Sequence, residues 1–291
     1  MKVIITIPAY NEEKTIGKVI NSIKEVMNST KHKYEILVVD DGSADNTKKI
    51  AEKSGAIVYS HKRNKGLAET FKTEMDLCLK RQADIIIHTD ADGQYPPKYI
   101  PLLIKEIENG ADLVLGERFG KGKYSGSLMN KIGNIAFAKV FSNLLNIKIN
   151  DTTTGFRAFT QEVAKLPIIN NFTYTQEQLI RAGKAKMKII SIPITTEKTR
   201  KSKLFKNPFS YASKAWINIL RIYRDFAPLK FFGFFGGFFI LTGTIIGIFL
   251  IYNVIITGRI GHLPLTILSA LLILIGLQII LFGFLADMKK E

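Results

Sequence analysis

The chain of 291 residues contains a single cysteine, Cys78, which excludes an internal disulfide. Cys78 lies in an apolar-periodic stretch, so we interpret it as core filling rather than as a nucleophile. The patterns Gly-x-Gly-x-x-Gly and Gly-x-x-x-x-Gly-Lys are absent, which counts against a dinucleotide site or a P-loop. The N-terminus opens directly with the apolar stretch Val3–Ile7 and lacks a signal-peptide cleavage pattern. These absences favour a catalytic domain in the reducing cytosol.

Charge is nearly absent from the C-terminal part. Beyond residue 230 the only charged residues are Arg259, Asp287, Lys289, Lys290 and Glu291. Residues 1–230 therefore hold 38 of the 41 basic and 23 of the 25 acidic side chains, and +15 of the formal net charge of +16. This excess predicts an anionic partner, namely substrate phosphates, an acidic lipid surface or nucleic acid, although ordinary solubilising lysines explain part of it.

Two apolar stretches, Phe231–Gly258 and Ile260–Ala286, fill this weakly charged part. Each exceeds the roughly 20 apolar residues that cross a bilayer as a helix. We predict a transmembrane hairpin within residues 231–291, with spans at 231–256 and 263–286. Its outer ends are more basic than its turn, so both termini and the large N-terminal domain are expected in the cytoplasm. The basic flanking residues are Arg221, Arg224, Lys230, Lys289 and Lys290, against Arg259 in the turn.

The first span and the segment before it suggest further contacts. Small residues at Gly233, Gly237, Gly243 and Gly247 have the spacing of a helix-packing face, used within the hairpin or in a homo-oligomer. Residues 206–230 form a juxtamembrane segment in which 211–224 mixes aromatic, aliphatic and basic residues at helical spacing. It fits an interfacial helix in contact with membrane lipid or a packing helix of the soluble domain, and its position favours the interface.

Residues 1–205 alternate strand and helix patterns, which predicts an α/β domain with a mostly parallel sheet. The predicted strands are 3–7, 35–39, 56–60, 84–89, 112–116, 156–159 and 188–193. The predicted helices lie near 12–28, 45–54, 67–81, 97–108 and 127–145, with Asn11 as N-cap of the first.

Two carboxylates, Asp90 and Asp92, follow the apolar strand predicted at 84–89. Side chains at i and i+2 of an extended segment point the same way, so both can converge on one hard cation, and Gln94 continues that face. A lone Asp-x-Asp is more often a solvated turn. Here, however, the loops after the other strands bring Pro8–Glu12, Asp40–Ser43 and Lys65–Gly66 to the same edge. The cluster suits a nucleotide diphosphate held through a divalent metal.

Seven motifs in order resemble family 2 glycosyltransferases with the GT-A fold. Four are typical of the whole family: Pro8–Glu13, Val38–Ser43, Asn64–Ala68 and Asp90–Gln94. Three are similar to dolichyl-phosphate mannose synthases and related polyprenyl-phosphate glucosyltransferases: Asp151–Arg157, Glu177–Ala182 and Arg200–Leu204.

The resemblance implies a role for each matched position. The nucleotide-sugar would be bound by Pro8, Tyr10, Glu12, Asp40, Asp41, Lys65, Asp90, Ala91, Asp92, Arg200 and Lys203. Asp90, Asp92 and Gln94 would hold Mg²⁺ or Mn²⁺. Besides Asp92, the catalytic candidates are Arg118, Lys131 and Arg157, which would meet the acceptor phosphate. As alternatives, Thr199–Lys203 is a solvated basic run, and the three acceptor candidates are structural ion-pair partners, the favoured interpretation for Lys131.

One departure from the family bears on the acceptor. Many family 2 enzymes that act on sugar hydroxyls carry a Glu-Asp pair, with the Asp as base, where this chain has Tyr174-Thr175. A phosphate monoester, with a second pKa of about 6, needs no strong base. The departure favours a lipid-phosphate acceptor, and the alternative is that Glu177 serves as base.

We therefore expect an inverting, metal-dependent transfer of a hexose, mannose from GDP-mannose first, to dolichyl or polyprenyl phosphate at the cytoplasmic membrane face. The alternatives are a UDP-glucose or UDP-N-acetylhexosamine transferase and an inactive membrane-anchored assembly subunit. Nucleic-acid binding is not expected, because a membrane hairpin and an acidic crevice argue against it.

Overall fold

The computed structural model describes residues 1–119, 128–169, 174–197, 217, 220–258 and 263–288, without the side chains of 128–133 and 136. The chain divides into two compact units, Met1–Leu204 and Phe205–Glu291.

In the described part of the first unit, seven strands form one sheet. They are β1 (Lys2–Ala9), β2 (Lys33–Asp40), β3 (Ile57–Ser60), β4 (Ile85–His88), β5 (Leu113–Glu117), β6 (Arg157–Thr160) and β7 (Ile189–Pro193). Their order is β3-β2-β1-β4-β6-β5-β7, and the pairs are parallel except those of β6 with β4 and β5. The predicted α/β architecture with a mostly parallel sheet is confirmed.

The helices between the strands cover the sheet. They are α1 (Ile16–Asn28), α2 (Thr47–Lys53), α3 (Leu67–Lys80), α4 (Ile100–Glu108, after the 3-10 turn Pro97–Tyr99), α5 (Leu128–Leu145), α6 (Gln161–Ala164) and α7 (Tyr174–Lys184). Because β4 is buried on both faces, its sequence is an unbroken apolar run up to His88. Ile87 packs in the same cluster as Ile20 of α1, whereas the ring of His88 lies 5.2 Å from that of Phe71 in α3.

The first helix begins later than predicted. Its N-cap is Thr15, so the prediction of Asn11 as the cap is wrong. Asn11 instead has φ 53°, a left-handed conformation that asparagine tolerates. Its backbone N–H donates to Ser43 Oγ at 2.9 Å, and its Oδ1 accepts from Ala44 N at 2.9 Å. Asn11 therefore ties the loop after β1 to the loop after β2.

β6 is antiparallel and lies between β4 and β5. Its first residue, Arg157, pairs with His88, the last residue of β4. This direction, which the sequence analysis did not predict, carries Gly155 and Phe156 to the edge where Asp90 begins the next loop.

The second unit contains, among its described residues, two helices long and apolar enough to cross a membrane. They are the first apolar helix, Pro228–Thr257, and the second apolar helix, Leu263–Met288, with mean hydropathies of 2.3 and 2.7. They contact each other where small residues meet. A Cβ atom on Gly236 would lie 2.6 Å from Gly276 O, and Ser269 Oγ donates to Gly243 O at 2.7 Å.

The packing face differs in part from the predicted one. Gly243 lies on it, and a Cβ on Gly247 would be 3.2 Å from Ser269 Oγ. Among the described residues nothing lies within 4 Å of a Cβ on Gly233 or Gly237, so their assignment to the packing of the hairpin is wrong. Most of the predicted juxtamembrane helix lies outside the described residues, apart from a helical stretch at 220–226.

Candidate active site

The carboxyl ends of β1, β2 and β4 lie side by side. β1 pairs in register with both neighbours, Ala9 with Asp40 and Thr6 with His88. The sheet therefore brings the segment after β1, the Asp40–Asp41 pair and the Asp90–Gln94 loop to one edge, the edge at which such sheets bind ligands.

Both carboxylate oxygens of Asp41 are used inside the protein. Oδ1 accepts from Lys65 N at 2.9 Å and lies 2.7 Å from His61 Nδ1, and Oδ2 accepts from Gly66 N at 2.8 Å. The side chain thus occupies the backbone N–H groups just before α3. Asp41 therefore supports this loop, and the side chain of Lys65 is exposed beside it.

Asp40 has a different environment. It is 3% exposed, accepts a hydrogen bond from Ser43 N at 3.1 Å, and lines a polar cleft of about 390 Å³. Ser60, His61 and Lys62 at the end of β3 line the same cleft. Asp40 is therefore the member of the acidic pair that lines this open cleft.

The predicted residues after β1 are close to this edge but differ in exposure. Pro8 is buried within β1, whereas 47% of Tyr10 is exposed. The backbone N–H of Glu12 donates to Thr47 Oγ1 at 2.7 Å, and its carboxylate accepts from Thr15 Oγ1 at 3.2 Å. Tyr10 is thus the side chain of this segment with the largest free surface for a ligand.

The loop after β4 holds two carboxylates close together. Asp90 and Asp92 are half-buried on either side of the buried Ala91. Asp92 Oδ1 accepts from Gln94 N at 2.9 Å, and Gly93 between them has φ 76°, so the loop turns sharply. Burial raises the pKa of the Asp90 carboxyl, and the neighbouring charge of Asp92 raises it further.

This donor set fits Mg²⁺ or Mn²⁺. Such ions take carboxylate and amide oxygens, which Asp90, Asp92 and Gln94 offer, and a cation removes the repulsion between two nearby carboxylates. The described residues contain no cluster of three or more His, Cys, Asp or Glu side chains able to hold a metal. Water and diphosphate oxygens of a substrate would complete the coordination, the usual arrangement for Mg²⁺.

Gly155, before β6, lies directly behind Asp90. A Cβ atom on Gly155 would be 2.9 Å from Asp90 Oδ1. Its backbone N–H donates to Tyr95 Oη at 3.2 Å, and its carbonyl oxygen lies 2.7 Å from His88 Nδ1. The sequence analysis missed His88 and Tyr95, because nothing in local spacing links them to a residue 67 and 60 positions away.

Two arginines proposed for the acceptor are engaged within the protein. Arg118 donates to both oxygens of Asp151 at 2.8 and 3.0 Å and to Thr153 Oγ1 at 2.8 Å. Arg157 is fully buried and donates to the carbonyl oxygens of Thr154 and Thr175. Of the two interpretations, this geometry fits the structural one, and direct contact of the buried Arg157 with an acceptor does not fit.

Comparison with known proteins identifies the family. The model of glycosyl transferase family 2 matches residues 4–166. The chain belongs to glycosyl transferase family 2. It is 32% identical over 221 residues to a dolichyl-phosphate hexose transferase of Haloferax volcanii, covering 75% of this chain and 92% of the relative. It is 31% identical over 217 residues to a UDP-N-acetylglucosamine–dolichyl-phosphate N-acetylglucosaminyltransferase of Methanococcus voltae, covering 66% and 84%.

The fold is similar to that of a solved structure. Glucosyl-3-phosphoglycerate synthase from Mycobacterium tuberculosis, solved with Mn²⁺, UDP-glucose and phosphoglyceric acid, superposes with a TM-score of 0.61 at 21% identity, over 76% of this chain and 78% of that one. Family membership and fold agree with the predicted GT-A architecture, and the protein is a glycosyltransferase.

Among the remaining site candidates of this glycosyltransferase, the structure describes the side chain of Glu177. Glu177, the alternative base, is 2% exposed, and its Oε1 accepts from Arg181 Nη2 at 2.7 Å and from Ile169 N at 3.1 Å. The backbone of Lys131 lies in α5, but its side chain, like Arg200 and Lys203 as a whole, lies outside the described residues.

Proposed function

We propose that this glycosyltransferase moves a hexose from a nucleotide-sugar to a polyprenyl or dolichyl phosphate at a membrane. The observation that carries the proposal is the Asp90–Gln94 loop, which lies at the same sheet edge as Asp40 and its polar cleft, in a chain that also has two membrane-length apolar helices. The relatives named above, whose names include dolichyl phosphate, support the acceptor class.

Donor binding uses residues from three loops. Asp40 and Tyr10 contact the nucleoside, and Lys65 reaches the phosphates from its exposed position. Asp90, Asp92 and Gln94 would hold the divalent cation, Mg²⁺ or Mn²⁺. When bound, the cation stabilises the negative charge that develops on the nucleoside diphosphate leaving group. Arg200 and Lys203 add positive charge from the segment after β7, since guanidinium and ammonium groups pair well with phosphate.

In the transfer step, a phosphate oxygen of the acceptor attacks the anomeric carbon while the bond to the nucleoside diphosphate breaks, which inverts the configuration. The side chains near the family's usual base position support an acceptor that needs no base. Tyr174 is 7% exposed and packs 4.6 Å from the ring of Phe71, and Glu177 is already bound by Arg181. An acceptor phosphate is anionic near neutral pH, so it supplies its own nucleophile.

Mannose from GDP-mannose is our first proposal for the donor. A UDP-sugar is the second candidate, because a relative's name specifies UDP-N-acetylglucosamine. Competition of GDP and UDP for the detergent-solubilised protein separates the two, and tighter binding of UDP would contradict the mannose proposal. An inactive assembly subunit is disfavoured because all three proposed metal ligands are present.

The direct test is transfer of radiolabelled sugar to extracted lipid phosphate, with and without EDTA, by wild type and Asp92→Ala. We expect that the wild type transfers the sugar and that EDTA abolishes this transfer. Asp92→Ala should lower the transfer rate at least tenfold, because changing even the groups around metal ligands typically costs about 10- to 100-fold in activity. Undiminished transfer by Asp92→Ala would refute the metal assignment, and absence of transfer to any lipid phosphate would refute the acceptor.

We also propose a cytoplasmic catalytic domain at 1–205, a juxtamembrane segment at 206–230 and two spans within 231–291, with both termini in the cytoplasm. The basic residues that flank the spans support this orientation. In a Cys78→Ala background, Thr257→Cys at the end of the first apolar helix should react with a membrane-impermeant maleimide added outside intact cells. Labelling only after the cells are opened would show the opposite orientation.

A further inference from the structure

Glu74 of α3 and His88 of β4 form an ionic contact in the interior of the catalytic domain. Both side chains are 0% exposed, and Glu74 Oε2 lies 3.3 Å from His88 Nε2. Within the part of the chain that the structure describes, neither carboxylate oxygen of Glu74 has a hydrogen-bond partner. A buried ionic pair is rarely more stabilising than apolar residues of the same volume, so stability alone does not explain this one.

The other nitrogen of the His88 ring connects the pair to the active site. Nδ1 lies 2.7 Å from the carbonyl oxygen of Gly155, so it carries the proton and donates it to that oxygen. With Nδ1 committed to Gly155, Nε2 faces Glu74 Oε2 at 3.3 Å. Glu74 thereby fixes the ring orientation that His88 needs to hold Gly155.

Gly155 in turn limits where the carboxylate of Asp90 can lie. A Cβ atom at Gly155 would come within 2.9 Å of Asp90 Oδ1, so the glycine backbone lies directly against this side chain. Gly155 is otherwise held by Tyr95 Oη, and the ring of Tyr95 stacks on Phe156 at 5.4 Å. The backbone of Gly155 is therefore held by two contacts, one between its amide and Tyr95 and one between its carbonyl oxygen and His88.

We propose that Glu74 and His88 are positioning residues that hold Gly155 against Asp90 and so pre-orient its carboxylate for the divalent cation. The proposal rests on the proposed function, because it takes Asp90 as a metal ligand. Removing a group that orients a metal ligand typically lowers the metal affinity about 10- to 100-fold.

The ring environment makes a suitable substitution available. His88 packs 5.2 Å from Phe71 and 5.9 Å from Tyr174, so a phenyl ring fits among these aromatic neighbours. His88→Phe removes both polar contacts while it keeps the ring, and Glu74→Leu removes the buried charge. Glu74→Gln is the conservative variant, because it keeps the shape of the side chain and its amide can accept from or donate to Nε2. Cys78→Ala, one turn further along α3 at another buried position, is the matched control.

The test is Mn²⁺ binding to the detergent-solubilised full chain, measured by EPR from the free-ion signal, with GDP or UDP present. We expect His88→Phe and Glu74→Leu to weaken Mn²⁺ binding about tenfold or more. Glu74→Gln and Cys78→Ala should stay within about twofold of wild type, because the first keeps the contact and the second never made it. Circular dichroism checks that each variant is folded.

Asp92→Ala separates this inference from the proposed function. If Asp92→Ala loses Mn²⁺ while His88→Phe binds it like wild type, the positioning role is overturned and the metal site stands. If Asp92→Ala also binds like wild type, the metal assignment fails, and the inference fails with it. Wild-type Mn²⁺ affinity in Glu74→Leu would overturn the role of Glu74.

Discussion

Gly155 lies so close to Asp90 that no other residue fits there without displacing the carboxylate. A Cβ atom at Gly155 would lie 2.9 Å from Asp90 Oδ1 and 3.3 Å from Oδ2. The glycine in Thr154-Gly155-Phe156 thus serves the site by close approach, since its backbone φ is not among the left-handed ones.

Gly155→Ala should therefore impair the metal site more than the fold. The added methyl displaces the carboxylate of Asp90, and we expect Mn²⁺ affinity to fall about tenfold. Overpacking should cost about 1–3 kcal/mol of unfolding free energy. Gly183→Ala is the control, because its Cβ would meet Leu145 at 2.7 Å, far from Asp90 in sequence and outside the site. Equal Mn²⁺ affinity in Gly155→Ala and wild type would contradict the prediction.

The local part of the site could be predicted from the sequence, because it depends on short-range patterns. Asp90, Asp92 and Gln94 follow an apolar strand at a spacing that puts them on one face, and the α/β alternation places that strand's end at the ligand edge. The strands and helices up to β5 were predicted from the same periodicities. The two apolar helices were predictable from length and composition alone.

The long-range part could not be predicted. Contacts such as His88 with Gly155 and Asp41 with Gly66 join residues 67 and 25 positions apart, and no periodicity reports them. Helix α7 was missed for another reason. Its buried positions include Gln176, Glu177 and Gln178, so the apolar repeat by which helices are recognised is absent there.

Asp41 and Asp40 should respond differently to substitution although they are adjacent. Asp41→Ala leaves the part-buried N–H groups of Lys65 and Gly66 without their acceptor, and each costs less than the roughly 1–3 kcal/mol of a fully buried unsatisfied group. We expect a clear drop in the unfolding midpoint. Asp40→Ala removes one hydrogen bond, from Ser43 N, and should instead weaken nucleotide binding. Thermal unfolding and nucleotide titration of both variants check this, and equal stability losses would contradict it.

The Arg118–Asp151 pair should behave as a structural unit. Asp151 has 0% of its side chain exposed, so Arg118→Ala leaves a buried carboxylate unpaired, which typically costs about 3–5 kcal/mol. Replacing both members, Arg118→Met with Asp151→Leu, should restore part of the stability, because apolar side chains need no ionic partner although the backbone N–H groups of Arg118 and Thr153 then lose the Asp151 carboxylate as acceptor. Denaturant unfolding of the single and double variants measures the recovery. A double variant as unstable as Arg118→Ala would show that the two side chains do not act as a pair.

The contact between the apolar helices gives the last prediction. A Cβ at Gly276 would lie 2.6 Å from Gly236 O, whereas nothing described lies within 4 Å of one at Gly237. Close approach of membrane helices depends on small residues at the contact, because lipid tails offer no hydrophobic drive for association. Gly276→Leu should therefore separate the helices and cost about 1–3 kcal/mol, while Gly237→Leu should be tolerated. Thermal unfolding of the detergent-solubilised chain, followed by fluorescence-detected size exclusion, compares the two, and equal sensitivity would place the packing face elsewhere on the first apolar helix.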